Sequence, residues 1–221
     1  MTPVVPICAA FKPAFAQICA GGPSFGLFPM QLGMGLSLSD TGQTYGGSFG
    51  AGGRAMFASV NFGGANIDEV TFDEVTIEEI DDTALVLGLT VGSDNRLDAQ
   101  GRIWLCPLGS LGYRLGPEIG QLDTNQLSLA GGGRIGVVAM DNGAVQAIAT
   151  FGVSFVHQRF TIEIPEDEDE SDSETFGVIT MGIGLVFNEQ AALVPSFDIP
   201  LGREDDTIVF RVSFVINFGG S

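Results

Sequence analysis

Thr207-Ile208-Val209-Phe210-Arg211-Val212-Ser213-Phe214-Val215-Ile216-Asn217-Phe218 decides how this chain is read. Ile208, Phe210, Val212, Phe214, Ile216 and Phe218 make one large apolar face. Thr207, Val209, Arg211, Ser213, Val215 and Asn217 make the other, which is small or polar. Strict period two over twelve residues is the signature of a strand whose two sides meet different surroundings. The pattern repeats upstream. Ile179, Met181, Ile183, Leu185 and Phe187 alternate with Val178, Thr180, Gly182, Gly184 and Val186, and Met30, Leu32, Met34, Leu36 and Leu38 alternate with Gln31, Gly33, Gly35, Ser37 and Ser39.

Ten such segments are readable, near 28–39, 43–53, 55–63, 83–92, 101–115, 125–140, 144–160, 175–187, 191–200 and 206–218. Most run to about 9–15 residues, long for a soluble strand and suited to crossing a bilayer at a tilt. Their connections sort into two kinds. Gly53-Arg54, Gly92-Ser93-Asp94-Asn95-Arg96, Asp141-Asn142-Gly143 and Asn188-Glu189-Gln190 are short, and Asn-Gly is a hairpin signal. The connections 64–82, 116–124, 161–174 and 201–205 fall on the other side, with a short one at 40–42. Nineteen of the 27 acids lie in or beside three of those longer connections, so an up-and-down meander puts them on one rim. A strand count off by one would scramble that sorting, which argues for an even number.

Composition narrows the field. Glycine supplies 32 of 221 residues, about twice the usual roughly 7 per cent. Apolar residues at 45% and charged residues at 16% exclude wholesale disorder and a coiled coil. A net charge of −18 argues against a nucleic-acid partner, since phosphate binding needs Lys and Arg. No run of eighteen apolar residues offers a transmembrane helix.

At the start, Ala14-Phe15-Ala16 has the A-x-A form of a signal-peptidase site behind an apolar stretch, so residues 1–16 read as the tail of a secretory signal peptide. Its removal would take Lys12, the single lysine, and Cys8. Cys19 and Cys106 then remain, an even pair in an exported chain, where a disulfide is allowed. Two separate buried thiols are the alternative.

Short turns on one side, long polar loops on the other, an even strand count and an apolar face opposite a Gly/Ser-rich one resemble the small outer-membrane β-barrel proteins of Gram-negative bacteria. The resemblance covers about residues 28–218. It implies an all-β fold, a single up-and-down antiparallel transmembrane β-barrel, ten strands with eight as alternative. Closure follows because lipid offers no partner to an unpaired backbone group. The resemblance further implies residues 17–27 as a periplasmic segment, both termini periplasmic, and acidic loops outside. Its implied partners are outer-membrane lipid and lipopolysaccharide, and a barrel-assembly machinery that reads a final strand ending on an aromatic residue, here Phe218. Ile179, Met181, Ile183, Leu185 and the apolar face of 207–218 would face lipid. A Cys19–Cys106 bridge would fold the N-terminal segment into the barrel mouth.

Candidates for chemistry are few. By parity the lumen holds Arg102, Arg114, Arg134, Arg211 and Asp198, read as a polar network or the lining of a narrow pore. The acidic run Glu166–Glu174 could attract divalent cations, which favour carboxylate oxygens, though it lacks EF-hand spacing. His157 lies near the acidic rim, as the histidine of outer-membrane proteases does, but no matching acid pair accompanies it. Ser154, three residues away, has opposite parity. The expectation is a non-enzymatic barrel without cofactor or resident metal, with a structural, surface-interaction or narrow-channel role. An outer-rim hydrolase, or a soluble secreted barrel enclosing an apolar ligand with the faces inverted, are the alternatives.

Overall fold

The computed structural model describes residues 19, 21–22, 29–40, 42–53, 56–67, 69–72, 75–78, 83–119, 122–163, 170–202 and 207–219. The A-x-A segment at 1–16 lies outside the described residues. So do most of 17–27 and most of the acids in the longer connections.

The described residues form thirteen strands: β1 Met30–Ser39, β2 Gly42–Gly52, β3 Met56–Ile67, β4 Glu69–Phe72, β5 Val75–Glu78, β6 Thr83–Ser93, β7 Asn95–Arg96, β8 Ile103–Ile119, β9 Leu122–Asp141, β10 Val145–Glu163, β11 Glu170–Phe187, β12 Ala191–Leu201 and β13 Val209–Phe218. Ten of them form one closed antiparallel wall in the order β6-β3-β2-β1-β13-β12-β11-β10-β9-β8, with β8 pairing back onto β6. The barrel is up-and-down, and its ten strands are the ten that alternation predicts. The extra pieces are the two-residue β7 on the edge of β8 and the β4–β5 hairpin inside the 64–82 connection. The even count lets the first and last strands pair antiparallel, from Met30 opposite Phe218 to Leu38 opposite Phe210. The start of β1 and the end of β13 therefore share a rim with the short turns.

Side-chain parity follows the sequence. On β13, Val209, Arg211, Ser213, Val215 and Asn217 are buried, while Phe214 is 37% and Ile216 is 43% exposed. Phe210 and Val212 point the same outward way and are half-buried between neighbours, as are Ile179 and Leu185 on β11. Met181 and Ile183 are exposed, as are Ile208 just ahead of β13 and Phe218 at its end. The large apolar residues face out and the small polar ones face in. This overturns the inverted alternative, in which the apolar residues would line a cavity inside a soluble barrel.

Two expectations about the ends need correction. The connection at 116–124 is mostly strand, since β8 runs to Ile119 and β9 starts at Leu122, and β10 and β11 likewise extend into 161–174. The alternation fades among the acids there, but ladder pairing continues from Val156 opposite Phe176 to Ile162 opposite Glu170. Strands β8 to β11 thus reach 17, 20, 19 and 18 residues, against 10 to 12 for β1, β2, β3 and β6. A bilayer crossing needs about 9–11 residues, so one wall of the barrel stands well above the other.

Candidate lumen site

The interior is layered. Near the short turns, Ile148 of β10, Val186 of β11 and Ala192 and Val194 of β12 pack together with Val138 of β9 against them. Gln31 and Asn217, opposite each other across the β1–β13 seam, close this end with a buried hydrogen bond, Gln31 Nε2 donating to Asn217 Oδ1 at 2.7 Å.

Cys19 and Gly21 stand at this end of the barrel, against different walls. Cys19 is joined to Cys106 of β8 by a disulfide with a Cα–Cα distance of 6.0 Å, and both cysteines are fully buried. Gly21 lies against β11 and β12. A Cβ on Gly21 would stand 2.8 Å from Gly184 Cα and 3.1 Å from Val194 Cγ1. Gly21 also has φ +83°, a conformation that favours glycine. A Cβ on Gly184 would fall onto the Gly21 carbonyl, so two glycines are needed for the close approach. Because β8 and β12 are four strands apart around the wall, these few residues bridge the lumen rather than line it.

Asp94, in the turn between β6 and β7, places Oδ1 2.8 Å from Cys106 Sγ. Burial pushes its carboxyl up to about 6 from an ordinary 3.8. The disulfide sulfur has no proton to give, so a hydrogen bond here requires the protonated carboxyl as donor. Cys19, Asp94 and Cys106 cluster closely enough to hold a metal ion between them, but the bridged sulfurs supply no thiolate for it.

Above the apolar layer the lumen is charged. Arg211 is 6% and Asp198 is 4% exposed. Arg211 Nη2 meets Asp198 Oδ2 at 2.7 Å, and the Thr180 hydroxyl donates to Asp198 Oδ1 at 2.6 Å. Arg134 sits in the field of the same carboxylate and of Arg211. Arg114 is buried further along β8, with Nε and Nη1 lacking partners among the described residues. Four of the five residues placed in the lumen by parity, Arg114, Arg134, Asp198 and Arg211, are therefore inward-facing.

Arg102 is the exception, and its assignment to the lumen is corrected. It is exposed in the turn before β8. Asp98 Oδ1 accepts the backbone N–H of Arg102 and of Ile103 at 2.8 and 2.9 Å, and Gly101 takes φ +72°, so the ladder begins only at Ile103. The Ile103 N–H, joined by that of Arg102 and by the Arg96 charge, holds the Asp98 carboxyl below the usual carboxylate range. At the next turn, Asp141 is held low by the Gly143 N–H and the Gln146 amide.

His157 is exposed on the outward face of β10, its Nδ1 2.9 Å from Thr175 Oγ1. Ser154 points inward, so the two diverge across the wall and form no nucleophile–base pair.

A closed ten-stranded up-and-down barrel with a large apolar exterior and a polar lumen defines the class: a β-barrel of the outer-membrane type. The chain is similar in fold to several solved barrels. These include the N-terminal β-barrel domain of Pseudomonas aeruginosa OprF, at 16% identity and TM-score 0.37 over 86% of this chain and 96% of that one. Ail, the attachment invasion locus protein of Yersinia pestis, solved with the heparin analogue sucrose octasulfate, follows at 12% identity and 0.44, covering 86% and 95%. The KdgM porin, solved with disordered oligogalacturonate, gives 8% and 0.38, covering 86% and 99%. These likenesses are of fold alone, and the register of this chain's own strands carries the assignment. No family model matches the chain, and no curated protein matches it.

Proposed function

We propose that this chain resides in an outer membrane as a non-enzymatic barrel whose lumen is occluded at the short-turn end, and that it serves as a structural and surface-interaction element. The observation that carries the reading is the placement of Cys19 and Gly21 across the lumen, Cys19 latched to Cys106 on one wall and Gly21 seated on Gly184 and Val194 on the other. In this reading the short turns and the strand termini face the periplasm. The tall β8–β11 wall projects outward with its acids toward lipopolysaccharide, where divalent cations would bridge carboxylate to phosphate. The exposed faces of β1, β11 and β13 contact lipid, and the assembly machinery reads the last strand ending on Phe218.

Two measurements test it. Urea-washed membranes run unheated and heated on an SDS gel are expected to show a heat-dependent mobility shift in the membrane fraction; soluble protein without a shift would remove the bilayer. In planar bilayers the disulfide-bonded barrel is expected to show no steady porin-sized conductance, and a stable large conductance would overturn the occluded reading. A narrow channel is the second reading. It is favoured by the half-buried lining beside Arg134, and it would appear as small conductance steps after the disulfide is reduced.

A further inference from the structure

Among the described residues the middle of the lumen holds two guanidinium groups, Arg134 and Arg211, and one carboxylate, Asp198. Asp198 is taken by Arg211 and by the Thr180 hydroxyl. Arg134 makes no ion pair or hydrogen bond of its own among the described residues. Its stem lies flat over Gly152, where a Cβ would stand 2.6 Å from Arg134 Cγ. Beyond it opens a cavity bordered by Arg134, Thr90, Ser110, Gly132, Ser154 and Thr180. The cavity volume is about 40 Å³, and a single water needs about 10–15 Å³. Inward-facing Ser110, Ala130, Gly132, Arg134 and Ser154 are half-buried here, whereas Ser48, Ser59 and Asn61 on the β2–β3 wall are buried. The apolar cluster of Val156, Phe176 and Val178 roofs the cavity through Ala130. Asp172 and Glu174 share the inward parity of β11 but lie past Phe176 and Val178, on the far side of that roof from Thr180.

Arg134 shares the field of Asp198 with Arg211, so a second counter-charge beside it is favourable. A guanidinium with hydroxyl donors around an open space matches the acceptor pattern of an oxyanion. We propose that this cavity binds one small oxyanion of the phosphate, sulfate or carboxylate class, with Arg134 as its charged partner and the Ser110 and Thr90 hydroxyls as donors. The site goes beyond the occluded-barrel reading and does not depend on whether the barrel conducts.

The test is equilibrium dialysis of the folded, disulfide-bonded full chain in detergent against radiolabelled inorganic phosphate, with ionic strength held constant by chloride. Saturable uptake near one phosphate per barrel is expected. Arg134→Gln is expected to weaken it about tenfold or more, a loss of ~1.4 kcal/mol or more. Arg96→Gln, on the exposed turn where the guanidinium bonds the Asp98 carbonyl, is expected to leave it unchanged. No saturable uptake by the folded wild type, or equal uptake by Arg134→Gln, overturns the site. If Arg134→Gln loses the heat-dependent gel shift, Ser110→Val and Thr90→Val carry the test. They keep every charge, remove a donor and fill the space; weakened uptake supports the site and unchanged uptake overturns it. Failure of phosphate uptake in a barrel that also fails to conduct sinks this site and leaves the occluded reading standing.

Discussion

Two levels of one lumen are built on opposite principles. At the short-turn end Ile148, Val186, Ala192 and Val194 form an apolar contact, against which Gly21 is seated through Val194. A few residues along the same strands, Arg134, Thr180, Asp198 and Arg211 make a charged belt beside an open cavity. Parity brings both sets inside, and residue type alone separates them. The apolar level excludes water and needs no partner for any atom. On the charged level each polar atom calls for a partner, and among the described residues Arg134 borders the open space without an ion pair of its own.

Substitutions can break this contrast from either side. The largest loss is expected for Asp198→Ala, which leaves Arg211 buried without its carboxylate. About 3–5 kcal/mol is expected, read by urea unfolding in lipid vesicles, with Arg211→Met added to recover part of it. Ile148→Ala attacks the apolar level by opening a cavity beside Val186, Ala192 and Val194 and is expected to cost about 2–5 kcal/mol in the same assay. Phe214→Arg moves the comparison across the wall. Arg211 is accommodated inside three residues away, but an arginine facing lipid near the bilayer midplane costs about 2–4 kcal/mol, and Phe214→Ala in parallel would separate charge from lost area. If Phe214→Arg costs no more than Phe214→Ala, the exterior is not in lipid.

The smallest effect is one of pH and sits at the latch. Asp94 has a folded pKa of about 6 against an ordinary 3.8, so the folded state holds its proton more tightly than the unfolded state. Stability is then expected to fall as pH rises from about 4 to about 6 and to level off above, because the folded state binds more protons across that window. Asp94→Asn is expected to flatten this slope. Thermal unfolding of both proteins from pH 4 to 8 checks it, and an unchanged slope in the variant would place the titration elsewhere.

The sequence made the wall of this barrel legible and left much of its contents obscure. Alternation on β13 or β11 assigns each side chain to a face because a closed ladder forces period two on every residue within it. The same rule failed at Arg102, where stepping back from Cys106 in twos assumes a ladder that Asp98 and Gly101 end one residue too soon. It also ended β10 too early and began β11 too late, since backbone pairing between Thr161 and Ser171 does not require an apolar side chain on either strand. The bridge from Cys19 was legible as a pair of cysteines. The seating of Gly21 on Gly184 was not, because a glycine in a strand looks the same whether it faces empty space or another backbone. The layering of the lumen was half visible: Arg134, Asp198 and Arg211 could be placed inside, but which arginine holds the carboxylate depends on register across the five strands from β9 to β13.

The β1–β13 seam makes the strand order a ring. Met30 stands directly opposite Phe218 on the rim that carries the short turns, at the spacing of any antiparallel pair, so a loop of about two to five residues suffices to join them. A circular permutant linked there and opened at the exposed Asn142-Gly143 turn would retain every ladder of the wall. Its Cys19 segment would have to be carried within the new linker, which separates what the wall needs to close from what the latch needs to reach Cys106.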